Sequence, residues 1–426
     1  MSKLEELIKE FCPNGVEYKN FYSVCKYVRG ITYSSVQELF NTIDGTPVLR
    51  ANNIDLQTNT LILEDIKFVD ESVKIKEEQW LKKDDILICA GSGSKEHIGK
   101  IAYIFKNVNM TFGGFMGVIR ANRDLLLSRF LFHFLTSNMF KRHLSKVSAS
   151  NSSTINNINN ETWRNLQIPL PALPVQREIV RILDSFTLYS AELTAELTAR
   201  RKQYEFYRDK LLNFTCNIIQ ANIGQVCNVF TGGEPPVEHI KGDVPTGEYK
   251  YPIWGNGKDI YGYSKTFQIG QDAVVISSIG ANTGAVYFRK ANFTPIIRLK
   301  VLTPKNNDIN IRYLFYYLSN KKIESKSSSV PNMNSNEIKQ LSIEIPPMDV
   351  QERIVKVLDN FDAICSDLGI GLPAEIEKRQ KQYEYYREKL LTFDIKSETI
   401  LNRQTDRQTD RQTDRQTDRQ TDRQTD

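Results

Sequence analysis

The sequence predicts an α+β fold written twice: two similar globules, separated by two long helices packed as an antiparallel coiled coil, with a pseudo-twofold internal repeat. Three observations predict it. A helical segment occurs in two copies, VQREIVRILDSF at 175–186 closing with KQYEFYRDKLLNF at 202–214, and VQERIVKVLDNF at 350–361 closing with KQYEYYREKLLTF at 381–393. Each copy follows a stretch of quite different sequence, so the order is globule, helix, globule, helix. Within both globules the same order of strand, polar loop, strand and helix recurs while the side chains change.

The helical assignment follows from spacing. In the first copy apolar residues step by three and four through Val175, Ile179, Ile182, Phe186, Tyr189 and Leu193, and resume at Tyr204, Tyr207, Leu211 and Phe214. The second copy steps through Val350, Ile354, Val357, Phe361, Ile364 and Leu368, with Tyr383 and Leu390 in its closing motif. A single narrow apolar seam suits a coiled-coil partner. A helix of roughly 40 residues spans about 60 Å, more than one globule of this size needs. The two seams are therefore expected to pack against each other rather than each on its own globule.

In chain order, residues 1–165 form the first globule, opening on a short helix stopped by Cys12-Pro13-Asn14-Gly15. Strands are expected near 61–69, 84–90, 100–105 and 115–120, followed by a core helix over 125–144. A polar loop, 148–161, leads to the central helix of 166–215. The second globule, 216–342, repeats this order in shorter form: 81–104 is echoed by 267–288, and 128–143 by 310–325. The second helix occupies 343–395, and Gly369, Gly371 and Pro373 are expected to interrupt it. AELTAELTA at 191–199 is a tetrapeptide repeat within the first helix. One such unit adds about 6 Å and so works as a length adjuster.

From Arg403 to Asp426 the chain is RQTD six times, within a tail of 396–426. It has no apolar residue and no net charge, so it is expected to be disordered. GAC-AGA-CAG-ACA encodes Asp-Arg-Gln-Thr, so a repeated GACA tetranucleotide read in triplets produces this period. Such a tract slips, which predicts a phase-variable reading frame; mixed synonymous codons in the coding DNA would reject the idea.

Composition narrows the class. A chain of 426 residues has room for two or three cores. A net charge of +5 and a pI near 8.6 permit a nucleic-acid partner without demanding one. Six cysteines without a CxxC pair read as reduced, buried thiols. Without a signal-peptide core or a long apolar run, the expected location is the cytoplasm, with no membrane partner.

Catalytic motifs are missing from the sequence. GSGSKEHIGKI at 91–101 has the wrong spacing for a phosphate-cradling P-loop, and neither GxGxxG nor HExxH occurs. Four histidines leave little material for metal sites or triads. What remains is binding chemistry. Gly-rich loops carrying Ser92, Ser94 and Lys95, and Ser278, Asn282 and Thr283, lie between strands; they are either phosphate and base contacts or ordinary glycine hairpins. Polar groups recur at Ser150, Asn151 and Ser152, and at Asn332, Asn334 and Ser335. Arg50, Asn52 and Asn53, and Trp254, Asn256 and Lys258, begin candidate recognition segments, since Asn pairs bidentately with adenine and Arg or Lys with guanine.

With the paired KQYE[FY]YR[DE]KLL[NT]F endings, the VQ[RE][ER]IV starts and LEELIKEFCPNGVEYK at 4–19, the chain resembles the specificity subunit of type I restriction-modification enzymes over about residues 1–395. The resemblance implies two target recognition domains, each reading one half of a bipartite, asymmetric DNA site. It implies helices that act as a spacer ruler and dock two methyltransferase subunits, which motor-endonuclease subunits join. It implies a non-catalytic chain without cofactor or metal, since the methyl donor, ATP and magnesium of such adenine-methylating complexes belong to the other subunits. The interrupted second helix and the RQTD tail depart from the family pattern. Other readings are a stand-alone two-headed DNA-binding protein, a nuclease acting alone, and a scaffold with no nucleic acid. Cleavage of DNA by the purified chain with magnesium would mark the nuclease, and failure to bind duplex at any salt the scaffold.

Overall fold

The computed structural model describes residues 2–39, 45–56, 58–93, 97–149, 156–213, 218–280, 282–321, 323, 333–367 and 369–393. The RQTD tail lies outside them. The chain divides into two compact units, one of residues 1–191 and 378–426, the other of 192–377. The division falls at Ala191, the first residue of AELTAELTA, inside a continuous helix Leu173–Leu211.

In the first unit the strands Cys25–Arg29, Met116–Ala121, Ile86–Cys89 and Ile101–Tyr103 form one four-stranded sheet in that order. A second sheet runs Glu38–Leu39, Lys67–Val69, Thr46–Leu49, Thr111–Phe112, with its last pair parallel. In the second unit, Cys227–Thr231, Lys300–Pro304, Ala273–Ile276 and Val286–Arg289 repeat the first sheet. His239–Lys241, Ile260–Ser264, Tyr251–Trp254 and Thr294–Pro295 repeat the second, again ending in a parallel pair. Both units also need a glycine at one spot: a Cβ on Gly30 would meet the Gly113 oxygen at 2.1 Å, and one on Gly232 the Ile296 nitrogen at 2.8 Å. The shared scaffold is thus a matter of topology as well as element order.

The expected helix over 125–144 is two helices, Ser128–Thr136 and Asn138–Ala149. Buried Ser137 ends the first by donating its hydroxyl to the Phe134 oxygen at 2.6 Å. The first helix is apolar nearly all round because the sheet and the long helix both cover it, as a buried helix should be. Its counterpart is Ile311–Ser319, capped by the Asn310 side chain on the Arg312 and Tyr313 amides.

The repeated helices do two jobs. Their first turns pack on the globule of their own half: Val175, Ile179 and Leu183 are fully buried in the first core, Ile354 and Leu358 in the second. The later turns pair helix to helix. In the first unit Phe186 stacks on Tyr386 at 5.4 Å and Arg379 covers Tyr189 at 5.0 Å, an antiparallel register. In the second unit Tyr204 and Tyr207 meet Phe361 at 6.2 and 5.8 Å. The seam is therefore shared between globule and partner helix, not given wholly to either. Ile182, Tyr383 and Leu390 flank the first core, Leu211 the second, and Leu193 is buried. Val357, expected in the seam, is 38% exposed, because the side chain directly before Asp359, Leu358, takes the inward position four residues after Ile354.

The second helix is interrupted where expected, ending at Ser366 and resuming at Leu372. The Asp367 carboxylate accepts from the Gly369 and Ile370 amides at 2.6 and 3.1 Å. A Cβ on Gly371 would lie 2.6 Å from the Ala363 oxygen, so the break there requires glycine. Cys12, Cys25, Cys89, Cys227 and Cys365 are free and buried; burial pushes the Cys227 thiol up to about 12. No described helix is long and apolar enough to cross a membrane.

Candidate nucleic-acid interface

The repeated motifs first explain how each globule is held. The Gln176 amide donates to the Leu125 and Pro171 oxygens at 2.9 and 2.8 Å, and its oxygen accepts from the Leu127 amide at 2.9 Å. Gln351 does the same with the Asp308 and Pro346 oxygens at 3.0 and 2.9 Å and the Asn310 amide at 2.8 Å. Both glutamines are fully buried, so every polar atom of the amide has to find a partner. About two turns further along each repeated helix, Arg129 Nε donates to Asp184 at 2.8 Å and Arg312 Nε to Asp359 at 3.0 Å. The VQ and LD of each motif are thus the two ends of one clamp, and the clamp grips the N-terminus of the globule's buried helix.

The clamps differ in one member. In the first unit His133 is buried, with Nε2 2.9 Å from Asp184 and Nδ1 3.1 Å from the Tyr383 hydroxyl. Burial holds its pKa below the ordinary imidazole value; Asp184 opposes that shift, and Arg129 and Arg387 add to it. In the second unit the same place is taken by Tyr316, whose hydroxyl donates to Asp359 at 2.5 Å.

The sequence-predicted contact residues fall into three groups. Ser94, Lys95, Ser150, Asn151, Ser152 and Asn332 lie outside the described residues. A second group is engaged within the fold. Asn53 is fully buried, donating to the Ile62 and Glu64 oxygens at 3.1 and 3.0 Å and accepting from the Arg50 amide at 2.9 Å. That corrects the expectation for Asn53, because an amide enclosed and fully bonded in its own loop has no edge to offer a base. Ser278 is likewise buried, bonded to the Arg298 oxygen at 2.7 Å. Its amide donates to Asn256 at 2.8 Å, and Asn256 also donates to the Ile297 oxygen. These two order the loops behind the surface. Asn334 caps the helix Ser335–Lys339, accepting from the Asn336 and Glu337 amides at 2.9 Å each.

The third group reaches the surface. Arg50 and Asn52 share the Asp65 carboxylate, at 3.0 and 2.8 Å. Ser92 pairs with Asn156 in a short two-stranded ladder. Lys258 and Asn282 are exposed, and Thr283 closes its turn on the Gly280 oxygen at 2.7 Å. Ser335 is brought to Thr231, hydroxyl to hydroxyl at 3.0 Å, and to Lys300 Nζ at 3.3 Å.

Sequence reasoning missed two features of the second head. Arg289 lies on the Trp254 ring at 3.7 Å, and burial lowers its pKa to about 10. Lys300 is a lysine inside a buried strand, and nothing in the alternation of that strand marks it. Among the described residues no group of His, Cys, Asp and Glu is placed to hold a metal ion.

A family model for the type I restriction modification DNA specificity domain matches residues 13–200 and again residues 220–378. The chain belongs to that family. The two matches cover the two halves that the fold repeats. Among curated relatives of this specificity family, the type I restriction enzyme EcoR124I/EcoR124II specificity subunit of Escherichia coli is 34% identical over 276 residues, covering 58% of this chain and 67% of that protein. A putative type I specificity subunit of Mycoplasma pneumoniae, S.MpnORF507P, is 33% identical over 246 residues, covering 55% and 65%. The aligned parts thus span about two thirds of those proteins' length. In fold, the type I S subunit from M. genitalium matches with a TM-score of 0.55 at 16% identity, over 88% of this chain and 96% of that one. A chain from a study of complex assembly in the type I R-M system matches at 0.56 and 17%, over 89% and 98%. Membership makes this a DNA specificity subunit and not a catalytic one.

Proposed function

We propose that the heads in residues 1–165 and 216–342 are target recognition domains that each read one half of a bipartite, asymmetric DNA sequence. The helices in 166–215 and 343–395 set the distance between half-sites and dock two methyltransferase subunits, through which motor-endonuclease subunits join. The observation that carries this reading is the clamp made twice, Gln176 with Arg129–Asp184 and Gln351 with Arg312–Asp359. The same attachment holds two heads whose exposed side chains differ, so the half-sites differ too. Arg50, Asn52, Ser92, Lys258, Asn282 and Thr283 are the described candidates for base or phosphate contact.

Two docked copies of one partner call for two like surfaces. The closing motifs supply them: Phe206 and Tyr385, at the same place in the two copies, are 62% and 61% exposed. Large aromatics repeated in sequence yet left outside the core suit anchor positions at an interface. The test is co-expression with the neighbouring methyltransferase gene and genome-wide mapping of modified adenines. A bipartite motif with unlike halves is the expected result, and a continuous or palindromic motif overturns the reading.

A further inference from the structure

Lys300 is 6% exposed, yet among the described residues its polar partners are hydroxyls and no carboxylate. Among the described residues its ammonium meets Thr231 Oγ1 at 3.1 Å and Ser335 Oγ at 3.3 Å. A buried lysine is normally paired, because an uncompensated ammonium out of water is costly. The Arg298 charge raises that cost instead of lowering it: burial depresses the Lys300 pKa, and the Arg298 guanidinium depresses it further. Thr231 is exposed and Ser335 half-buried, so the two hydroxyls lie between the ammonium and solvent. Each hydroxyl carries one proton, and only one of those is used in the contact between them. The other can donate outward while lone pairs accept from Lys300.

The backbone keeps Arg298 at this spot. Its φ is +59°, left-handed for a residue with a side chain, and the preceding Ile297 is at +53°. The Arg298 amide donates to the Gly232 oxygen at 3.0 Å, and its oxygen accepts the Ser278 hydroxyl at 2.7 Å. The same rung of the first head is informative. Thr231 faces Lys300 in the ladder, and Arg29 faces Gly117. A basic residue is present on the rung in both heads, although it has crossed from one strand to the other. Base readers change between heads that read different sequence; a charge for the sequence-independent backbone has reason to persist in both.

We infer that Lys300, Thr231, Ser335 and Arg298 together seat one backbone phosphate of duplex DNA on the second head. The inference rests on the DNA-reading role proposed above. The phosphate supplies a counter-charge that the described residues do not, Thr231 or Ser335 donates to one of its oxygens, and Arg298 approaches from the exposed side.

The experiment compares the full chain with its Lys300→Met and Arg298→Asn variants, by anisotropy of a labelled random-sequence duplex over a salt series. Asparagine is chosen for position 298 because it tolerates the left-handed backbone. Each variant is expected to weaken binding by the same factor on any duplex, and to reduce the slope of log affinity against log salt by about 0.9, the loss of one phosphate. Lys300→Met is also expected to keep or raise the melting temperature, since it removes an unpaired buried charge. Unchanged slopes in both variants overturn the inference, and a lowered melting temperature with an unchanged slope assigns Lys300 a purely structural part. Should Lys300→Met fail to fold, Arg298→Asn alone decides. If the unaltered chain binds no duplex, the DNA-reading role itself fails; if it binds and the slopes agree, only this phosphate seat does.

Discussion

Gln176 and Gln351 make the same three hydrogen bonds in the two units, each donating twice to backbone oxygens and accepting once from the residue that starts the globule's buried helix. Each sits at the start of its helix, Gln176 two residues past Pro174 and Gln351 four past the capping Pro347. The motif therefore marks attachment, and the attachment is what the two halves have in common.

Gln351→Ala is expected to destabilise the second unit by about 2–4 kcal/mol, because it strands two buried carbonyls and one buried amide. Urea unfolding followed by a probe in that unit checks this. The transition of the first unit, whose Gln176 clamp is intact, is expected to stay where it was.

The clamp of the first unit holds a titratable imidazole, His133, where that of the second holds Tyr316. Because burial depresses the His133 pKa from 6.5, the unfolded chain takes up this proton more readily than the folded one. The associated stability is complete above that value and declines as the pH falls below it. Asp184 is also depressed: burial opposes the shift, but His133 and Arg129 prevail, so its stabilisation is lost only at still lower pH. Urea midpoints of the first unit measured from about pH 7.5 to about pH 5.5 are expected to fall, and His133→Gln to flatten the fall.

Phe206→Ala and Tyr385→Ala together are expected to leave melting nearly unchanged, since both rings are mostly outside the core. Each anchor lost at an interface costs about 2 kcal/mol or more, so methyltransferase binding is expected to drop by well over tenfold. Size-exclusion co-elution and titration calorimetry with the methyltransferase subunit read it out.

Adding one TAEL unit within 191–199 lengthens the helix by about 6 Å, against about 3.4 Å per base pair of duplex. The spacer of the methylated motif is expected to grow by one or two base pairs with both half-sites kept. Its residues favour tolerance of the change: within AELTAELTA only Leu193 is buried.

Much of this was legible in the sequence because the repeat is written in residues with strict steric or polar tasks. The apolar steps through Ile179, Phe186 and Ile354 gave the helices, and Gly369, Gly371 and Pro373 gave the break. Periodicity counts apolar residues but does not say which of two adjacent ones faces inward, so it points to Val357 where the fold buries Leu358. The break at Ser137 depends on one hydroxyl turning back on its own helix, a local choice that spacing does not record. For the contact residues, type alone could not separate Asn52, at the surface on Asp65, from Asn53, enclosed beside it. Lys300 left no mark because its setting comes from Thr231 and Ser335, distant in sequence.

The most direct test of two independent readers on one frame is a head exchange. Residues 216–342 are replaced by the corresponding stretch of a relative, and modified adenines are mapped in cells that also express the methyltransferase. One half of the motif is predicted to change while the other half and the spacer stay as they were. A motif altered in both halves, or in neither, contradicts the account.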